Sequence, residues 1–174
     1  LWLKHFDLDH EMMDSLQNQI PGYSMRMQEV TAAMLTPQIA RLPVIKDIHV
    51  RNWHLLHALI NDHPNIEIPM PLPQVDSFCD TMQFHLVGLS RERADRFIDV
   101  MKQEGIPMQI FGAKRNARDF RQWEYIEAHK DELKDTIANI EFACDLSLQP
   151  HLTEENIRVI GRVVQEVLDY INRT

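Results

Sequence analysis

The sequence predicts an α+β fold: a small sheet covered by helices, with an N-terminal helical extension. Residues 78–111 read as strand, helix and strand in close order, a pattern that lays a helix across a small sheet. From Thr153 onward, apolar residues recur at helical spacing and supply a second cover. Ahead of both, residues 9–60 are helical in pattern rather than alternating. The chain has 174 residues, 44% apolar and 25% charged, which suits a core that needs no disulfide or structural metal.

Taken in order, Asp9 can cap a short helix to Ile20, with Met12, Met13, Leu16 and Ile20 as its apolar stripe. Pro21-Gly22 then breaks the chain. Ser24 is the N-cap expected for the next helix, which carries Met27, Val30, Met34 and Leu35 on one face. Pro37 and Pro43 each remove a backbone donor, so one helix is expected to end near Leu42 and another to start at Pro43. Val44, Ile48, Leu55 and Leu59 are the second helix's expected buried face, and His63-Pro64-Asn65 ends it. The proline-rich stretch Ile66 to Pro73 reads as an extended connector or edge strand.

Phe78–Leu89 is a half-buried strand, with Met82, Phe84 and Leu86 alternating against Gln83, His85 and Val87. Ser90 caps a helix with Ala94, Phe97, Ile98 and Met101 inside and Gly105 as its stop. Ile106–Phe111 is a second strand. Helical stretches are expected over Asp119–Ala128 and Asp131–Ile140, and a short strand over Phe142–Leu148. In the last helix Thr153 is the cap, and Glu154 and Glu155 suit its positive N-terminal end. Ile157, Ile160, Val164, Val167, Leu168 and Ile171 mark its core face.

A net charge of −8 argues against a general nucleic-acid binder, which needs a basic face for phosphates. No apolar run approaches the roughly 18 residues of a membrane span. Cys79 and Cys144 are far apart and in no metal-ligand spacing, so they read as reduced thiols of a cytoplasmic protein. The chain opens Leu1-Trp2-Leu3-Lys4-His5-Phe6, without an initiator methionine or signal pattern, as a fragment would. His49, His54 and His57 share a helix, but no carboxylate or cysteine completes a metal set beside them. Five glycines leave no nucleophile elbow and no phosphate-cradling loop. One cationic cluster stands out in an acidic chain: Lys114, Arg115 and Arg118, with no carboxylate until Asp119.

Beyond this point resemblance supplies the reading. The phrase Gly22-Tyr23-Ser24-Met25-Arg26-Met27, followed by Glu29, Ala32-Ala33, Gln38 and Leu42, resembles one found in pyridoxal-phosphate sugar aminotransferases of the DegT/DnrJ/StrS type. There the phrase runs Gly-Tyr-Asn-x-Arg-Met and opens the helix leading into the small C-terminal domain. The likeness continues through the proline connector, the Phe84 strand, the Arg91-Glu92 helix and the Gly105-Ile106 turn. It closes at Leu146-Ser147-Leu148-Gln149-Pro150-His151-Leu152-Thr153, similar to the family's Leu-Ser-Leu-Pro-x-His-x-x-Leu-Thr.

The resemblance implies the C-terminal small domain of a fold-type I pyridoxal-phosphate transferase. Residues 1–21 would end the large domain or form a linker, 22–62 would be interdomain helices, and 63–174 the small domain. The implied activity is transamination of a keto-sugar, nucleotide-linked, with glutamate as amino donor, in a cytoplasmic homodimer. The Schiff-base lysine would lie upstream, so this chain alone is expected to be inactive, with no catalytic residue and no metal ligand. Ser24, replacing the family's asparagine, and Arg26 would reach the partner subunit's cofactor, although Ser24 also reads as a plain helix cap and Arg26 as a first-turn surface arginine. Phe111-Gly112-Ala113-Lys114-Arg115 departs from the family, which has a substrate-touching Tyr-Pro phrase there; as clustered cations, Lys114, Arg115 and Arg118 would meet an anionic substrate group or form a solvated turn. Two other functions stay open: a non-catalytic dimerisation or binding domain, and an aminotransferase for another small amine.

Overall fold

The computed structural model describes residues 27–70, 72–113, 119–123 and 132–173. The helix expected over Asp9–Ile20 lies outside these residues. The first described helix, α1 (Glu29–Ile39), starts with Gln28 extended at the cap position and Glu29 in the first turn. The cap expected at Ser24 lies outside the described residues. Pro37 is accommodated inside the helix. After Ala40 and Arg41, α2 (Leu42–Ile60) begins with its proline in the first turn, as the sequence predicts.

The buried face of α2 differs from the expected one. His49, Asn52, Trp53, Leu56 and Ile60 point inward, while Val44 is 63% exposed and Leu55 and Leu59 are only partly covered. Packing against the last helix, α5 (Glu154–Arg173), decides this. Gly161 of α5 lies so close that a Cβ there would stand 2.8 Å from Leu59 Cδ1. Asn52 Nδ2 donates to Leu152 O at 3.1 Å, and Gln165 Nε2 donates to Leu59 O. A polar residue thus takes an inward position that apolar periodicity alone does not reveal.

Among the described residues the sheet has four antiparallel strands in the order β1-β2-β4-β3. They are β1 (Ile66–Glu67), β2 (Thr81–Leu86), β3 (Met108–Ile110) and β4 (Ala143–Ser147). Register puts Met82, Leu146 and Met108 in one cross-strand row and Phe84, Cys144 and Ile110 in the next, all buried on one face. The opposite face carries Gln83, Asp145 and Gln109. The sequence centres the sheet on the stretches containing β2 and β3, yet neither pairs with the other; β4 lies between them. β1 is brief because continuing its register beyond Glu67 opposite His85 sets Pro69, which has no N–H, opposite Gln83.

Between β2 and β3 runs α3 (Arg91–Gln103), capped by Ser90 Oγ accepting from Arg93 N at 3.3 Å. It buries Ala94, Phe97 and Met101, and Gly105 at φ 78° supplies the left-handed stop. α5 starts with a reciprocal cap in which Asn156 N donates to Thr153 Oγ1 and Thr153 N donates to Asn156 Oδ1. Its inward residues are the predicted ones apart from Ile160, which is partly buried, and Gly161, which joins them. The described part of the stretch expected as a helix over Asp119–Ala128 is a 3-10 turn, Phe120–Gln122, with Trp123 extended after it, and the rest lies outside the described residues. Finally, α4 (Lys134–Glu141) leads into β4.

Candidate functional site

Ser24, Arg26, Lys114, Arg115 and Arg118 lie outside the described residues. The structure shows the two feet from which the 114–118 segment springs. One foot is the end of β3. Phe111 N donates to Ala143 O at 2.9 Å, and Gly112 N donates to Ile140 O at 2.8 Å. A Cβ on Gly112 would sit 2.9 Å from that carbonyl oxygen and 3.0 Å from Glu141 Cα. No larger side chain fits without moving α4, which gives a steric reason for glycine at this point in place of the family's bulkier phrase.

The other foot is Asp119 and Arg121. Arg121 Nε donates to Asp119 Oδ1 at 2.9 Å and Nη2 donates to Oδ2 at 2.9 Å, a two-pronged pair. The same Nη2 donates to Gly112 O at 3.0 Å and so ties the two feet together. Glu141 lies 3.9 Å from Nη1. Asp119 is 3% exposed, and its hydrogen bonds raise the Arg121 pKa above the ordinary arginine range against the opposing effect of burial. Arg121 is a residue the sequence reading missed; the only local signal was an acid two positions before a cation.

A second cation completes the frame. Arg91 Nη1 donates to Glu141 O at 2.9 Å, satisfying a carbonyl at the end of α4, while Nη2 pairs with Asp95 at 2.9 Å. The two arginines beside the loop are thus committed to carboxylates and backbone carbonyls.

The histidines are held by aromatic contacts. The His49 ring lies 5.3 Å from Phe78, His57 stacks on Trp53 at 5.0 Å, and His54 meets Trp53 edge-on at 5.2 Å. Among the described residues no three His, Cys, Asp or Glu side chains gather to hold a metal ion. A pocket of about 500 Å³ opens beside the free stretch of β2, between Trp53, Pro69, Met70 and Leu72 on one side and Cys79 and Thr81 on the other. No lysine lines it. Lys46 is paired with Asp76, and Lys102 and Lys134 are exposed on their helices. The described residues therefore do not themselves form an enclosed Schiff-base site for pyridoxal phosphate. No described helix is long and apolar enough to cross a membrane.

Solved structures share this fold. The 3-amino-5-hydroxybenzoic acid (AHBA) synthase aligns with a TM-score of 0.68 at 21% identity, over 87% of this chain and 41% of its own. The PMP form of Spr1654 from Streptococcus pneumoniae aligns at 0.71 with 16% identity, over 95% of this chain and 45% of its own. Helicobacter pylori PseC, an aminotransferase involved in pseudoaminic acid biosynthesis, aligns at 0.70 with 14% identity, over 86% and 39%. The chain thus spans less than half the length of these neighbours. Spr1654 has also been solved in a PLP form. No curated protein matches the chain. The model of one family matches residues 2–165, and the chain belongs to it: the DegT/DnrJ/EryC1/StrS aminotransferases.

Proposed function

We propose that this chain is the C-terminal part of a pyridoxal-phosphate aminotransferase that acts on a nucleotide-linked keto-sugar with glutamate as amino donor. The family match across residues 2–165 carries the reading. The cofactor supplies the electron sink, and the protein supplies binding and orientation. In this reading residues 1–21 close the large domain, 22–62 are interdomain helices and 63–174 form the small domain of a cytoplasmic homodimer. Ser24 and Arg26 hold the partner subunit's cofactor.

Lys114, Arg115 and Arg118 recognise an anionic group of the substrate. The clamp between Gly112 and Arg121 supports this role, because it fixes where a short basic segment leaves and re-enters the fold. Positioned cations lose less freedom on meeting an anion than mobile ones do. The test is a transamination assay on the full-length enzyme with glutamate and a nucleotide-linked keto-sugar, read with the cofactor's visible absorbance. Turnover of the sugar supports the reading. Turnover of only sugar-free ketones would sustain the aminotransferase and remove the sugar. A cofactor-free protein would favour a binding domain instead.

A further inference from the structure

The pocket beside β2 has the lining of a small-molecule site. Its volume of about 500 Å³ lies within the range that such ligands occupy. The apolar lining, Trp53 and Leu72 foremost, comes from α2 and the connector, and the polar lining comes from residues 77–80 and β2. Trp53 is held before any ligand arrives, because His57 stacks on it at 5.0 Å and His54 meets its edge at 5.2 Å. The polar side is preset too. Cys79 has φ 59° and is the one non-glycine residue with a positive φ among the described residues. Residues with a side chain rarely adopt this conformation, and such strain gathers at binding sites. Cys79 N closes the turn by donating to Ser77 Oγ at 3.3 Å, and the next residue, Asp80, joins the lining. The side chains of Asp80, Thr81 and Gln83 make no hydrogen bond to another described residue.

We propose that this pocket binds an uncharged sugar ring. Among the described residues that line it, Asp80 is ionisable and no Lys or Arg balances it, which disfavours phosphate and carboxylate ligands. A carboxylate, an amide and the hydroxyls of Ser77 and Thr81 offer both acceptors and donors, as a ring bearing several hydroxyls requires. A nucleobase has two apolar faces to cover. A pyranose has one face of C–H groups to lay on an indole and a rim of hydroxyls, which suits a pocket whose apolar and polar linings come from different elements. The site also stands apart from the basic segment. Thr81 pairs with Ser147, four residues along β4 from Ala143, whose oxygen accepts from Phe111 N. The pocket and the segment's first foot are thus ~13 Å apart along the strands. The proposal therefore goes beyond the functional reading above and holds whether or not Lys114, Arg115 and Arg118 meet an anion.

Saturation-transfer NMR on the full-length enzyme tests the site, with the methyl α-glycosides of glucose, galactose and mannose as probes. At least one should bind with a dissociation constant in the millimolar range, as expected for a few hydrogen bonds and one stacked face. Asp80→Ala and Gln83→Ala change exposed side chains that bond to no other described residue, so the fold does not depend on them. Each should weaken the binding about fivefold or more. Weakening in either variant supports the site. Equal affinity in wild type and both variants puts the sugar elsewhere and overturns the proposal, as does the absence of transfer to all three glycosides. Uridine binding more tightly than the glycosides, and weakening in the same variants, makes the pocket a nucleobase site and overturns the sugar. Inorganic phosphate displacing a bound glycoside shows that an anion is accepted and overturns the uncharged class.

Discussion

Arg121 shows how a charged side chain can be structural beside a loop with a proposed role. Its bonds to Asp119 and Gly112 O leave it committed to the frame. Substituting Arg121 with methionine leaves the buried Asp119 carboxylate without this partner, at a cost of about 3 kcal/mol in stability. Thermal unfolding reads the loss, and an unchanged midpoint would show that the clamp contributes nothing. The loop's own cations should behave differently. In the full-length enzyme Arg115→Ala is expected to raise KM for an anionic substrate, more so at low salt. Arg26→Ala should lower kcat/KM by about tenfold, or ~1.4 kcal/mol. Normal kinetics in both variants would remove these residues from the site.

Cys144 gives a residue-scale prediction with a pH sign. Burial pushes its thiol well above the ordinary value of 9.0, with Asp145 adding to the shift and Arg91 opposing it. The folded state holds the proton that the unfolded state releases above pH 9. This contribution is therefore complete below that pH and is lost as pH rises, by up to ~1.4 kcal/mol per unit for one group. Denaturant titrations of wild type and Cys144→Ala above pH 9 should diverge in slope. Parallel pH profiles would contradict the assignment.

At the scale of elements, the contact between α2 and α5 is the most demanding. Gly161→Ala gains about 1 kcal/mol of helix propensity on an exposed helix. Here its Cβ meets Leu59 Cδ1 at 2.8 Å and Leu59 Cβ at 2.9 Å, and the second atom cannot swing away. Overpacking of this kind costs about 1–3 kcal/mol, so we expect a net loss of stability in chemical denaturation. A more stable variant would mean that the helices separate freely. Thr153→Ala tests the other end of this packing. It removes the Asn156 cap bond and should cost ~1 kcal/mol. The cap is readable in the sequence, because Thr153 followed by acids and a 3.6-residue stripe is a local signal. The close approach at Gly161 is not, because it depends on which helix arrives opposite.

At the scale of the whole molecule, the described residues present a polar sheet face and a core under three helices. The described lysines occupy none of the enclosed positions that a Schiff base requires. Incubating the 174-residue chain with pyridoxal phosphate, reducing with borohydride and measuring mass should give no stable adduct. A stoichiometric adduct on one lysine would overturn the proposal that the Schiff-base lysine lies outside this chain.

The sequence by itself determined the α+β class, the caps at Ser90 and Thr153, the stop at Gly105 and the family, because these rest on local chemistry or on the order of short phrases. It also located the basic segment 114–118. Tertiary structure alone decided that β4 lies between β2 and β3, and that Asn52 and Trp53 rather than Val44 face inward. It alone revealed Arg121 as the tie between the loop's feet. Strand order and helix rotation follow from which surfaces meet. Residues far apart in the chain settle that through steric fit and paired polar groups, neither of which leaves a period or a motif.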